Sequence, residues 1–114
     1  MWHELGTRRR RQPPPPHIVW DSLMNPGPWL ELLDDEVEPR VLEAASPEVV
    51  VWSSLWPSRP DDRIRFDLEP VAAETSLRWT LTTSGEMPDE SKLGHLRYRL
   101  NVLVNEKLRF TYGQ

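Results

Sequence analysis

Cysteine is missing from all 114 residues. Its absence excludes disulfides, thiolate catalysis and cysteine-ligated zinc, without identifying a redox compartment. Long apolar runs are missing too. None approaches the roughly 18 residues of a membrane-spanning helix, so no membrane partner is expected. The first residues, MWHELGTRRRR, lack the apolar core of a secretory signal, which makes the cytoplasm the expected compartment. The three histidines, His3, His17 and His95, stand at no metal-ligand spacing. Neither a GxSxG elbow, a P-loop nor a dinucleotide fingerprint occurs. A Ser-His-Asp arrangement is defined by geometry rather than order, but those residue types are expected by chance in any chain of this length. No catalytic residue, metal ligand or cofactor is therefore assigned.

What remains is a balanced composition, 38% hydrophobic and 28% charged, which fits one globular domain over residues 1–114. The net charge of −4 argues against broad nucleic-acid binding. Six tryptophans and twelve prolines are many for the length and need an account.

The strongest pattern lies between Val49 and Phe110. Three strand-like runs follow one another: Val49 to Trp56, Arg63 to Val71 and Ser76 to Ser84. Ile64, Phe66 and Leu68 alternate with Arg63, Arg65, Asp67 and Glu69, and Leu77, Trp79 and Leu81 alternate with Ser76, Arg78, Thr80 and Thr82. Period two puts the apolar set on one face and the polar set on the other, as in a half-solvated antiparallel sheet. Val49 to Val51 is apolar on both faces, so the side taken by Trp52 stays open. From Glu90 to Phe110, Leu93, Leu96, Leu100, Leu103, Val104 and Leu108 recur at three- and four-residue steps. They predict a helix of about five or six turns with one apolar stripe. Asp89, Glu90 and Ser91 offer its cap, and Gly113 its stop. The stripe and the apolar sheet face are expected to cover each other.

Upstream, Arg8 to Arg11 reads as an edge strand whose arginines face water and neighbouring carboxylates. A phosphate-binding run is the alternative. Pro13 to Pro16 reads as a rigid connector rather than a peptide ligand, leading into a short helix over His17 to Met24. Asn25-Pro26-Gly27-Pro28 ends that helix. Trp29, Leu30, Leu32 and Leu33 suggest a second short one. Glu31 to Glu48 holds seven acids against one base, Arg40, and is expected as a solvated acidic loop. Asp34, Asp35 and Glu36 as a hard-cation site is the rival reading. Arg40 to Ala45 is a weaker strand, paired to Val49–Trp56 through Ser46-Pro47.

Strand, two short helices, antiparallel meander and long C-terminal helix together resemble the helix-grip fold of the SRPBCC superfamily. That superfamily includes START domains, polyketide cyclases and the birch-pollen allergens. The residues carrying the resemblance are PPPPHIVWDSLMNPGPWLEL and RIRFDLEPVAAETSLRWTL, completed by the helix from Lys92 to Phe110. It implies an α+β fold, a curved antiparallel sheet wrapped around the C-terminal helix. With five candidate strands where the family has around seven, this chain is a shortened member. The turn Ala72 to Glu74 lacks the glycines common there.

The resemblance implies a small apolar or aromatic ligand held between sheet and helix. The residues expected to line its seat are Trp20, Trp29, Trp52, Phe66, Trp79, Leu96, Leu100 and Leu103, although packed core is the favoured reading of Trp20, Trp29, Trp52 and Trp79 taken by themselves. Trp56, beside Pro57, is expected at the mouth. Non-catalytic binding is the leading function. A cyclase- or dehydratase-type enzyme is the alternative, with its acid or base drawn from Tyr98, His95 or Asp67. A protein–protein module, as in the Hsp90-activator relatives, is the third. An apolar cavity favours the binder, a partnered polar group inside it the enzyme, and a filled interior the interaction module.

Overall fold

The alternation in the sequence becomes a single sheet. A computed structural model describes residues 1–113. Its strands are β1 (His3–Gln12), β2 (Val41–Ala45), β3 (Val49–Ser53), β4 (Asp62–Val71) and β5 (Glu74–Thr83). Their order across the sheet is β1-β5-β4-β3-β2, antiparallel throughout. The last four therefore form a meander, and the first strand closes beside β5. Ile64, Phe66, Leu68, Leu77, Trp79 and Leu81 all face inward and are buried. Arg63, Arg65, Glu69 and Arg78 face water, with Asp67 and Thr80 half-buried between them. A one-residue slip would have exposed the whole apolar set, so burial fixes the register.

The apolar face is covered by helix α1 (Pro16–Met24) and by the long C-terminal rod. α1 starts on Pro16, and the proline run before it is tied down by Thr75, whose hydroxyl donates to the Pro14 carbonyl at 2.8 Å. The rod begins as α2 (Glu90–Leu100), capped by the Asp89 carboxylate, which accepts the Lys92 N–H at 2.8 Å. It runs without a break into a π-wound stretch (Asn101–Leu108) and a last turn, α3 (Arg109–Thr111), before Gly113 takes a positive φ of 82°. Leu96, Leu100, Leu103, Val104 and Leu108 are fully buried against the sheet, with Leu93 at the margin.

The expected second helix near Trp29 is absent: one short helix follows β1, and residues 26–40 run as turns and extended chain. Pro26 and Pro28 supply no amide hydrogens, and the Leu30 N–H turns back to the Gly27 carbonyl at 3.1 Å. The segment then follows β3's continuation, the Val37 N–H donating to the Leu55 carbonyl at 2.7 Å. Among the described residues, no helix is long and apolar enough to cross a membrane.

Candidate functional site

The four arginines of β1 divide two and two. Opposite partners in an antiparallel pair share a face, and Gly6, Arg8, Arg10 and Gln12 stand opposite Leu81, Trp79, Leu77 and Thr75. Those four therefore point to the helix side. Arg9 and Arg11 point outward, toward Glu69 at 3.9 Å and Glu74 at 3.2 Å. The outward pair fits the solvated-edge reading. Arg8 and Arg10 are exposed to solvent as that reading has it, but neither lies within ion-pair distance of a carboxylate among the described residues.

β1 lies along the C-terminal rod and is pinned to it at both ends. A bulge between Glu4 and Gly6 turns Leu5 into the core. Arg97 then reaches over Gly6, its Nε donating to the Leu5 carbonyl at 2.8 Å. A Cβ on Gly6 would meet that Nε at 2.9 Å, so the missing side chain makes the room. At the other end Arg109 donates to the Arg11 carbonyl at 2.9 Å, and the buried Gln12 amide donates to the Val104 carbonyl at 3.0 Å. Those guanidiniums occupy carbonyls that an edge strand otherwise offers to a neighbour.

Between the pins lies an open groove of about 370 Å³, with Arg8, Arg97 and Asn101 around Trp79 and with Glu4 in its wall. The Asn101 side-chain oxygen accepts from the Trp79 indole at 3.2 Å and from the Asn105 amide at 3.0 Å. Two buried side-chain oxygens at the π-wound stretch, Gln12 Oε1 and Asn105 Oδ1, have no donor among the described residues. Buried amide oxygens are normally satisfied, so this seam is under-bonded.

The residues expected around a ligand are brought together, but as packed core. Trp52, Phe66, Leu96, Leu100 and Leu103 are each 0–1% accessible, which leaves no water-sized space against them, and Trp79, at 1%, shows only a sliver of its side chain at the surface. Trp29 stacks on Trp52 with ring centroids 6.2 Å apart, and Phe66 meets Trp52 edge-on at 4.7 Å. Trp52 thus takes the inner face. Indole N–H groups are spent on the protein itself: Trp20 donates to Val49, and Trp52 to Leu23, at 3.0 and 2.9 Å. Of the eight, Trp79 is the one that reaches the groove.

Trp56 is fully buried rather than at a mouth, and its indole donates to Glu36 at 3.1 Å. This corrects the acidic-loop reading for one residue, since Glu36 leaves Asp34 and Asp35 in solvent and turns inward. Arg99 grips it from the helix with two bonds of 2.7 and 2.8 Å, and also donates to the Glu31 carbonyl at 2.9 Å. Burial pushes the Glu36 carboxyl up. The Arg99 guanidinium and the Leu33 and Trp56 N–H groups outweigh it, holding that carboxyl below its ordinary value. A polar residue among the leucines of the stripe was the signal for Arg99. Nothing local marked Glu36.

Tyr98, His95 and Asp67 do not converge inside. Asp67 lies on the outer face beside Arg65 and Arg78, Tyr98 is exposed, and His95 is half-buried at the start of the rod.

Neither a family model nor a curated protein matches the sequence. Solved structures match the fold. CalU16 from Micromonospora echinospora superposes with a TM-score of 0.72 at 18% identity, over 94% of this chain and 73% of that one. The Aha1 dimer from Colwellia psychrerythraea gives 0.64 at 16%, over 86% and 88%. Ara h 8.0201 gives 0.60 at 10% over the whole of both chains. The protein has the helix-grip fold that these structures share.

Proposed function

We propose that this domain binds a small molecule with an apolar or aromatic body, without catalysis, at the seam between the sheet and the C-terminal helix. The observation that carries the reading is the open groove over Trp79, lying where β1 meets the rod. The interior behind it is filled, so the ligand sits at the seam rather than inside a closed cavity. The π-wound stretch, whose first residue Asn101 lines the groove, supports the same place, since wide helical turns recur at functional sites. Native mass spectrometry of freshly purified protein should show a co-purified small molecule, and phenylnaphthylamine, a neutral apolar dye, should bind and quench tryptophan emission. No retained mass and no dye binding would end this reading.

An interaction module is the second reading, and both the filled interior and β2 favour it. All five residues of that edge strand are exposed, Val41 and Leu42 among them. An unpaired strand edge is a template for another chain.

A further inference from the structure

The donors around the groove are more specific than its shape. Arg97 is held by its Nε on the Leu5 carbonyl, and its two terminal nitrogens have no partner among the described residues. Arg8 faces the same space from the strand and makes no hydrogen bond or ion pair of its own among those residues. Asn101 has its oxygen filled twice, by Trp79 and Asn105, which fixes the amide orientation and leaves its NH₂ free. Two guanidiniums and an amide therefore present donors to one space in a chain of net charge −4. Elsewhere Arg9, Arg11, Arg59, Arg65, Arg78 and Arg99 have carboxylate partners, while Arg10, Arg40, Arg63 and Arg109 form no ion pair among the described residues. Glu4 is the single carboxylate in the groove wall, and it forms no ion pair with either arginine.

We infer that the groove is an anion seat, and that the molecule bound at the seam is an acid. An oxyanion head, carboxylate or phosphate, lies between Arg8 and Arg97, and the apolar or aromatic body lies toward Trp79. A guanidinium fixed at Nε offers its remaining N–H groups as a planar fork, the geometry that takes two oxygens of one oxyanion. Gly6 is part of the device, because its lack of a side chain lets Arg97 lie across the bulge. The inference rests on the seam reading and adds the charge of the ligand to it.

The test uses two dyes of similar body, anilinonaphthalene sulfonate and the neutral phenylnaphthylamine, titrated into the intact protein and followed by dye fluorescence. The sulfonate should bind about tenfold more tightly, as expected for charge-assisted bonds, and its advantage should shrink with added salt. Arg8→Gln and Arg97→Gln should each remove most of that advantage, bringing the affinities for the two dyes close together. Arg65→Gln, on the outer face, should change neither. The Arg8 side chain bonds to nothing among the described residues, so its substitution keeps the test valid even if loss of the Arg97 pin disturbs β1. Inorganic phosphate should compete with the sulfonate and not with the amine. Equal affinity for both dyes, or a sulfonate preference that survives Arg8→Gln, overturns the anion seat and leaves the seam reading standing. Sulfonate binding without amine binding keeps the anion seat and sinks the apolar seam. Binding of neither overturns both.

Discussion

Arg99 holds Glu36 by two hydrogen bonds, 2.7 and 2.8 Å long, in a place where neither side chain meets much solvent: 8% of the arginine and none of the carboxylate is accessible. The pair ties the turn-rich segment after α1 to the centre of the C-terminal rod. Removing one partner strands a buried charge. Glu36→Gln or Arg99→Met alone should cost about 3–5 kcal/mol. The double variant strands no charge, although its amide has one oxygen for the two N–H groups, of Leu33 and Trp56, that now bond different carboxylate oxygens. It should therefore be clearly more stable than the sum of the two losses, a coupling that a double-mutant cycle in urea reads directly. Additive losses would show that the pair is incidental.

The same carboxylate sets an acid limit. Its ordinary value is 4.5, and in the folded protein it lies lower. A depressed carboxyl contributes stability that is fully present above the unfolded value and is lost as pH falls through the folded one. Urea midpoints should therefore drop below about pH 4.5, and that part of the slope should be missing in Glu36→Gln. An identical acid profile in the variant would assign the acid sensitivity to other carboxylates.

Leu100 lies mid-stripe with no accessible surface, between Leu96 and Leu103 and over the sheet that carries Phe66 and Trp79. Leu100→Ala should open a void and cost about 2–5 kcal/mol. It should leave binding of the neutral dye near wild type, because Leu100 is not among the residues that line the groove. A loss near 1 kcal/mol, by the reduced-contact argument for voids, with altered dye affinity, would mean that Leu100 lines a space that opens in solution.

Ala72, in the turn between β4 and β5, sits at φ 54°, in the left-handed region where a Cβ is strained. Ala72→Gly removes that strain and adds freedom to the unfolded chain. The two terms oppose, and the net should be a gain of about 0.5–1 kcal/mol. Thermal unfolding checks it, and a lowered midpoint would show that the turn carries no strain.

Most of the fold was legible because burial here is periodic. Ile64 to Leu68 and Leu77 to Leu81 alternate, the leucines from 93 to 108 repeat at helical steps, and each pattern admits one face inward. The segment around Trp29 was not. Its apolar spacing suits a helix, but helix formation there was decided by the prolines and by Glu36, whose partner lies 63 residues away. Of the groove, Trp79 was legible as an inward aromatic. Arg8 was not, because assigning the four arginines to two faces needs the register with β5, and the bulge at Gly6 shifts that register by one. Choosing Glu36 from seven acids likewise required the third dimension.

The π-wound stretch sets how the far end of the rod meets β1. Wide turns carry a surplus residue relative to α-helical winding, and the side chains beyond them are placed accordingly. Because the wide turns already absorb a surplus residue, inserting one more between Asn101 and Leu108 would swing everything after it by about 100°, one α-helical step. Arg97 and Asn101, upstream, would stay over the groove. Arg109 would leave the Arg11 carbonyl, and Tyr112 would leave the Ser22 hydroxyl that it now meets at 2.8 Å. The widened turns thus act as a vernier between helix and strand. Changes in the length of this stretch would unlatch one end of β1 while sparing the other, which makes the chain's tolerance of insertion and deletion there directional.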